Sequence, residues 1–154
     1  MRWAARLVIG SLAGLTLQGT ATGAEPARLP ELRFADLYRL PAGPRGLEPS
    51  ARLQALVGAR VALTGYVVHQ QKPLPDVVIL AAYPLATDED EQGLADDLPA
   101  SVVYVHLPEA APEAHAPGLV RASGVLEWGP RTEADGRVSW IRLHAAADDY
   151  DRLR

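Results

Sequence analysis

The chain has 154 residues, a formal net charge of −4 and no cysteine, so neither a disulfide nor a lipid-modified cysteine is available to it. Lys72 is its only lysine, and an acidic chain this poor in amines excludes a nucleic-acid partner, whose phosphates call for a basic footprint. The length suits one domain with a core of Val, Leu, Ile and Ala, because Phe34 is the only phenylalanine.

Arg2 and Arg6 open the chain, an apolar run covers 7–17, and Thr22, Gly23 and Ala24 offer small side chains to a signal peptidase. This is the pattern of a cleaved secretory signal over 1–24. The apolar run falls short of the roughly 18 residues that a span requires. No stable membrane anchor is therefore expected, and the mature chain is placed in the periplasm or outside the cell. Cleavage near Ala24 removes two arginines and no acids, taking the net charge from −4 to −6.

Segment 25–49 reads as an extended proline-rich arm, with Phe34, Leu37, Tyr38 and Leu40 as its docking candidates. A short helix follows. Ser50 is placed as its N-cap, Leu53, Leu56 and Val57 fall at i, i+3 and i+4, and Gly58 can end it in a left-handed conformation. From Arg60 the apolar period changes from 3.6 to 2, and five strands are predicted at 60–69, 76–83, 101–107, 119–128 and 137–145. In the fourth, Val120, Ala122, Gly124, Leu126 and Trp128 share one face. In the fifth, Ile141 and Leu143 share a face opposite Val138, Trp140, Arg142 and His144.

An open sheet of five strands leaves two unpaired edges, and closure removes them. The predicted fold is therefore mainly β: a five-stranded, OB-like, partly open antiparallel barrel with one short N-terminal helix, occupying 50–147. Gly65 and Gly124 mark where its strands coil. The three prolines of 108–117 predict a loop where such barrels usually carry a helix, and 148–154 reads as a frayed, solvated acidic tail.

The run 56–68, which opens on Leu56, Val57 and Gly58 and closes on Gly65, Tyr66, Val67 and Val68, resembles the opening of a bacterial secreted family, domain of unknown function 3299. Ile79, Leu80, Tyr83 and Pro84 stand where that family has its second strand, so the resemblance covers 53–107. The family continues into a cysteine- and proline-rich segment with a nearby histidine, which this chain lacks at that point, so no ligand role carries over. Members are often encoded beside ABC-type transporter components, some linked to metal supply. The resemblance implies an accessory role in the envelope and no known reaction.

OB-like barrels bind ligands on the face of strands two and three and in the loops after strands one and four. Here those loops are 70–75 and 129–136. Tyr66, Lys72, Trp128, Arg131 and Trp140 are thereby expected near one rim, and exposed aromatic and arginine side chains are common interface anchors. Trp128 shares a face with Val120 and Leu126, which equally suits a core residue closing the barrel end. The expected ligand is a protein partner of the envelope, with no cofactor.

An alternative reading is a divalent-metal protein binding zinc or calcium weakly. Asp88, Asp90 and Asp96 belong to an acidic run whose oxygens suit a hard cation, although Pro99 stands where an EF-hand places its bidentate glutamate. The simpler reading of that run is a solvated loop between strands two and three. His106 and His144 lie on predicted strands and could converge, although no two of the four histidines have helical ligand spacing. Catalysis has little support, and an enzyme reading would need a deep pocket holding His106 or His144 beside a carboxylate. There is no Gly-x-Ser-x-Gly elbow, no cysteine nucleophile and no phosphate-cradling glycine loop.

Overall fold

The computed structural model describes residues 28–85 and 98–153. The predicted signal segment 1–24 and the acidic residues Asp88, Asp90 and Asp96 lie outside the described residues. The chain is mainly β, with seven strands in one mixed sheet. They are β1 (Glu31–Leu32), β2 (Arg60–Val67), β3 (Val77–Ala81), β4 (Val103–His106), β5 (Leu119–Thr132), β6 (Val138–His144) and β7 (Tyr150–Arg152). One α-helix, α1 (Ala51–Leu56), precedes β2, and short 3-10 turns occupy Phe34–Asp36 and Pro112–His115.

The five predicted strands all form, as β2 to β6. The sheet order is β1-β2-β3-β4-β6-β5-β7, and β2 also pairs with β5 along Arg60↔Val125 to Tyr66↔Leu119. Pairing therefore runs from β2 through β3, β4, β6 and β5 back to β2. The all-antiparallel expectation is corrected, because β4 and β6 run parallel, with Tyr104 opposite Arg142 and His106 opposite His144. The reason is one of parity: alternating directions cannot close around an odd number of strands, so one junction must be parallel. A second parallel pairing joins β1 to β2.

Side chains of alternate residues point into this circuit. Val61, Leu63, Val78, Leu80, Val103, Val105, Val120, Ala122, Leu126, Ile141 and Leu143 form the main core with Leu32, Leu37 and Leu53. Fully burying such a side chain stabilises by roughly 1.5–3 kcal/mol. β3 is buried on both faces, which explains its unbroken apolar sequence. Its outer residues Val77, Ile79 and Ala81 join Val68, Val102 and Tyr104 in a second cluster, against which Leu74, Leu85 and Leu98 pack.

Two glycines permit the close approaches. A Cβ on Gly65 would lie 2.7 Å from the Phe34 ring, and one on Gly124 would lie 2.5 Å from the His144 carbonyl oxygen. Ser50 caps α1 as predicted, its hydroxyl oxygen accepting from the Leu53 amide at 3.0 Å. Gly58 adopts φ +80° and donates its amide to the Leu126 carbonyl, turning the chain into β2. Leu53 is buried and Leu56 packs on the core, whereas Val57 remains exposed.

One further expectation, the frayed tail, is corrected, and two are detailed. The described part of the arm is docked: Leu32 and Leu37 are in the core, β1 pairs with β2, and Leu40 is the residue left in solvent. The 108–117 segment contains a 3-10 turn whose Ala114 is buried. The C-terminal residues are not a frayed tail, because β7 pairs with β5. Asp149 is buried there, accepting from the Ser123 hydroxyl and the Ala146 amide and ion-paired with Arg60. Tyr150 donates its hydroxyl to the Ala114 carbonyl at 2.7 Å, and burial pushes its phenol up to about 12. Among the described residues no helix is long and apolar enough to cross a membrane.

Candidate functional site

The β5–β6 hairpin carries most of the chemistry. Its ladder slips between Trp128 and Arg131, where Gly129 takes φ +128°, a conformation open to a residue without a Cβ. Arg142 holds this bulge together. Its side chain is almost fully buried and donates through Nη1 to the carbonyls of Gly129 (2.8 Å) and Ser139 (2.9 Å) and to the Ser139 hydroxyl. Through Nε it donates to Glu127 at 3.1 Å.

Glu127 is the meeting point of two arginines and a histidine. Besides Arg142, His144 Nε2 lies 2.6 Å from its Oε2, and Arg131 approaches to 3.9 Å. The hydrogen bonds from Arg142 and then His144 push its carboxyl down to about 2. A second carboxylate, Glu133, is tucked into the hairpin and accepts from the Ser139 hydroxyl. His106 Nε2 lies 3.3 Å from Glu133 but is buried and misaligned for a hydrogen bond. Burial lowers the His106 pKa, and the opposing pull of Glu133 does not outweigh it.

A row of aromatic rings borders this network. Trp140 is exposed and its ring centroid lies 5.8 Å from that of Trp128, which meets Tyr38 edge to face at 5.9 Å. Tyr38 anchors the row by donating its hydroxyl to the Ala100 carbonyl at 2.7 Å, and burial raises its phenol pKa. Beside the row a cleft of about 320 Å³ is lined by Pro99, Val102, Tyr104, Arg137, Val138 and Trp140, among others. Across the hairpin, Arg137 donates to Gln70 at 2.7 Å, so the β2–β3 and β5–β6 loops meet.

Of the residues singled out from sequence, Trp128 and Trp140 are brought together. Trp128 also packs on the main core. Arg131 is exposed and directed to Glu127. Lys72 is exposed in the β2–β3 loop, and Tyr66, half-buried on β2, pairs with Ala81 and Leu119. His106 and His144 do converge, with ring centroids 5.2 Å apart. Each, however, is directed at its own carboxylate, and among the described residues no group of three metal-ligating side chains forms. Sequence reasoning missed Arg142, Glu127, Glu133 and Ser139. The available signal was Arg142 itself, an arginine between the core residues Ile141 and Leu143.

No protein-family model matches the chain, and no curated protein matches it. A solved structure does match: the chain is similar to a crystal structure of a DUF3299 family protein from Pseudomonas aeruginosa PAO1, at 13% identity with a TM-score of 0.54, over 83% of this chain and 98% of that one. The family resemblance carried by 56–68 thus has a counterpart in three dimensions, and at this identity the likeness shows a shared fold.

Proposed function

We propose that this chain is an exported, non-enzymatic binding or accessory module of the bacterial envelope, working with a protein partner such as an ABC-type transport component. The scaffold reads as an OB-like barrel. In support, Tyr66 pairs with Ala81, and from Ile79, two residues before Ala81 on β3, the pairs run to Tyr104, to Arg142 and to Glu127, which lies eight residues along β5 from Leu119, the direct partner of Tyr66. A stagger of this kind is what closing a five-strand sheet into a cylinder requires.

The observation that carries the binding reading is Trp140, an exposed indole packed on Trp128, which in turn meets Tyr38, beside a cleft. A rigid, pre-oriented aromatic gives an interface contact area at little entropic cost. The catalytic reading gains nothing comparable, since among the described residues the His144 and Glu127 pair shows no nucleophile as a hydrogen-bond partner. The metal alternative gains the convergence of His106 and His144 without a third ligand among the described residues.

The test is site-specific photo-crosslinking in the source cell, with the chain exported under its own leader. A photo-reactive residue replacing Trp140 should give one discrete protein adduct in the envelope fraction, and one replacing Val57, exposed at the end of α1, should not. Equal labelling from both positions, or recovery of the chain in the cytoplasm alone, would sink the proposal.

A further inference from the structure

The docked arm, 28–49, forms one wall of a groove that adjoins the Trp140 cleft at Pro99 and Ala100. Its turn is tied at the base by Tyr38↔Pro49 and at the tip by Gly43↔Gly46, and it holds Leu40 and Leu47 out in solvent at 73% and 44% exposure. Between this turn and the chain at 99–101 lies a groove of about 500 Å³, lined by Phe34, Tyr38, Leu40, Leu47, Ala82 and Pro99 among others. The volume is within the range of pockets that take several side chains.

Charge identifies the occupant. Along this arm and the start of α1, four arginines share two carboxylates: Arg33 and Arg52 pair with Asp36, and Arg39 and Arg45 pair with Glu48. The carboxylates are tucked in, at 20% and 25% exposure, while the guanidiniums face out, Arg45 at 86% and Arg33 at 76%. An otherwise acidic chain thus carries more arginines than carboxylates in these pairs, with Arg33 next to the groove residue Phe34 and Arg39 between the groove residues Tyr38 and Leu40. Exposed ion pairs of this kind contribute little, so the arginines can turn to an incoming carboxylate at small cost.

We propose that this groove docks a segment of a partner protein in which leucine-type anchors are flanked by carboxylates. This rests on the reading of the chain as a protein-binding module, and adds a second contact with its own chemistry. The groove is concave with a wall on either side, which suits inserted side chains; a flat lipid surface offers none.

The probe is a short fluorescein-labelled synthetic peptide of leucines flanked by glutamates, followed by fluorescence anisotropy with the mature protein. A matched peptide with lysines in place of the glutamates and vesicles of phosphatidylglycerol serve as comparisons. The glutamate peptide should bind saturably and weaken as salt rises. Binding should fall about tenfold or more in the Leu40→Ser, Leu47→Ser double variant and about threefold in Arg39→Gln, Arg45→Gln. Both pairs are at the surface, so an unchanged melting temperature certifies the fold. Equal binding of the lysine peptide, indifference to the leucine changes, or vesicle binding without peptide binding would each overturn the proposal. Trp140→Ala separates the two sites: it should leave peptide binding intact, and if it alone abolishes binding, the Trp140 cleft stands and the groove falls.

Discussion

Replacing Arg142 with methionine should destabilise the protein by about 3–5 kcal/mol, in the range for removing one member of a buried charge pair. Methionine keeps most of the side-chain volume, so little of the loss comes from a cavity. It comes instead from the carbonyls of Gly129 and Ser139, which lose their guanidinium donor. Each buried acceptor left unsatisfied costs about 1–3 kcal/mol, and Gly129, being only half-buried, belongs at the lower end. The link to Glu127 adds less than its depressed carboxyl suggests. That side chain is 42% exposed, solvent screens the pair, and His144 shares the effect, so about 1 kcal/mol is assigned to Arg142. Urea denaturation measures the total, and a thermal scan should show a fall of about 10–15 °C for a domain of this size. Carbon-detected NMR titration reads the electrostatic part separately: the Glu127 carboxyl should rise from about 2 toward the ordinary carboxylate value. A variant within about 0.5 kcal/mol of the parent, or a more stable one, with Glu127 still titrating near its depressed value would refute the view of Arg142 as the hub of the hairpin.

Gly124→Ala should cost about 3 kcal/mol, since its Cβ would meet the backbone of His144 and force β5 from β6. Gly43→Ala, which meets nothing within 4 Å, should stay within about 0.5 kcal/mol in the same urea series. Leu37→Ala should lose about 2–4 kcal/mol, because this arm residue is fully buried in the core; a loss below about 1 kcal/mol would mean that the arm is dispensable to the fold. His106 faces Glu133, His144 and Arg131 and has a lowered pKa, so its folded state binds a proton less readily than its unfolded state. Its contribution to stability is complete above the unfolded value near 6.5 and is lost as pH falls from there toward the folded value. Urea midpoints for the parent should therefore decline across that window, and His106→Phe should flatten the decline. The depressed Glu127 acts lower, its contribution being lost as pH falls from about 4.5 toward about 2, so the two effects separate on one pH series.

The strands were legible because their alternation is local. Val120, Ala122 and Leu126 declare an inward face without reference to anything distant, and Ser50 and Gly58 bracket α1 by the same local logic. What escaped depends on partners far along the chain. Asp149 belongs to a run of acids that composition assigns to solvent, yet Ser123 and Arg60 reach it from 26 and 89 residues away. Arg142 alternates as an outward residue should, and it is buried because the bulge at Gly129 and the hydroxyl of Ser139 close over it. The parallel junction of β4 with β6 was available in principle, since five strands paired in a circuit cannot alternate throughout. In the candidate site, the two tryptophans could be named but not the contact of Trp128 with Tyr38, because nothing local shows that the arm folds back.

The stagger of the pairings decides which residues can act together. Along β5, Tyr66 is opposite Leu119, and Trp128 stands nine positions further on, about 30 Å of extended chain. Across the strands, Tyr66 pairs with Ala81, and β3 leads through β4 to β6 along pairs such as Ile79 with Tyr104 and Tyr104 with Arg142, successive strands lying about 4.8 Å apart. The Gln70 to Arg137 bond ties the β2–β3 loop to the β5–β6 loop. The exposure of Trp140 is consequently a property of the whole circuit. Slipping β6 by one residue would carry its indole to the inner face and push Ile141 or Ser139 out. A partner that grips Trp140 is therefore sensitive to the register of the entire sheet, and mutations that loosen the core at a distance, such as Leu37→Ala, should weaken that grip without touching it.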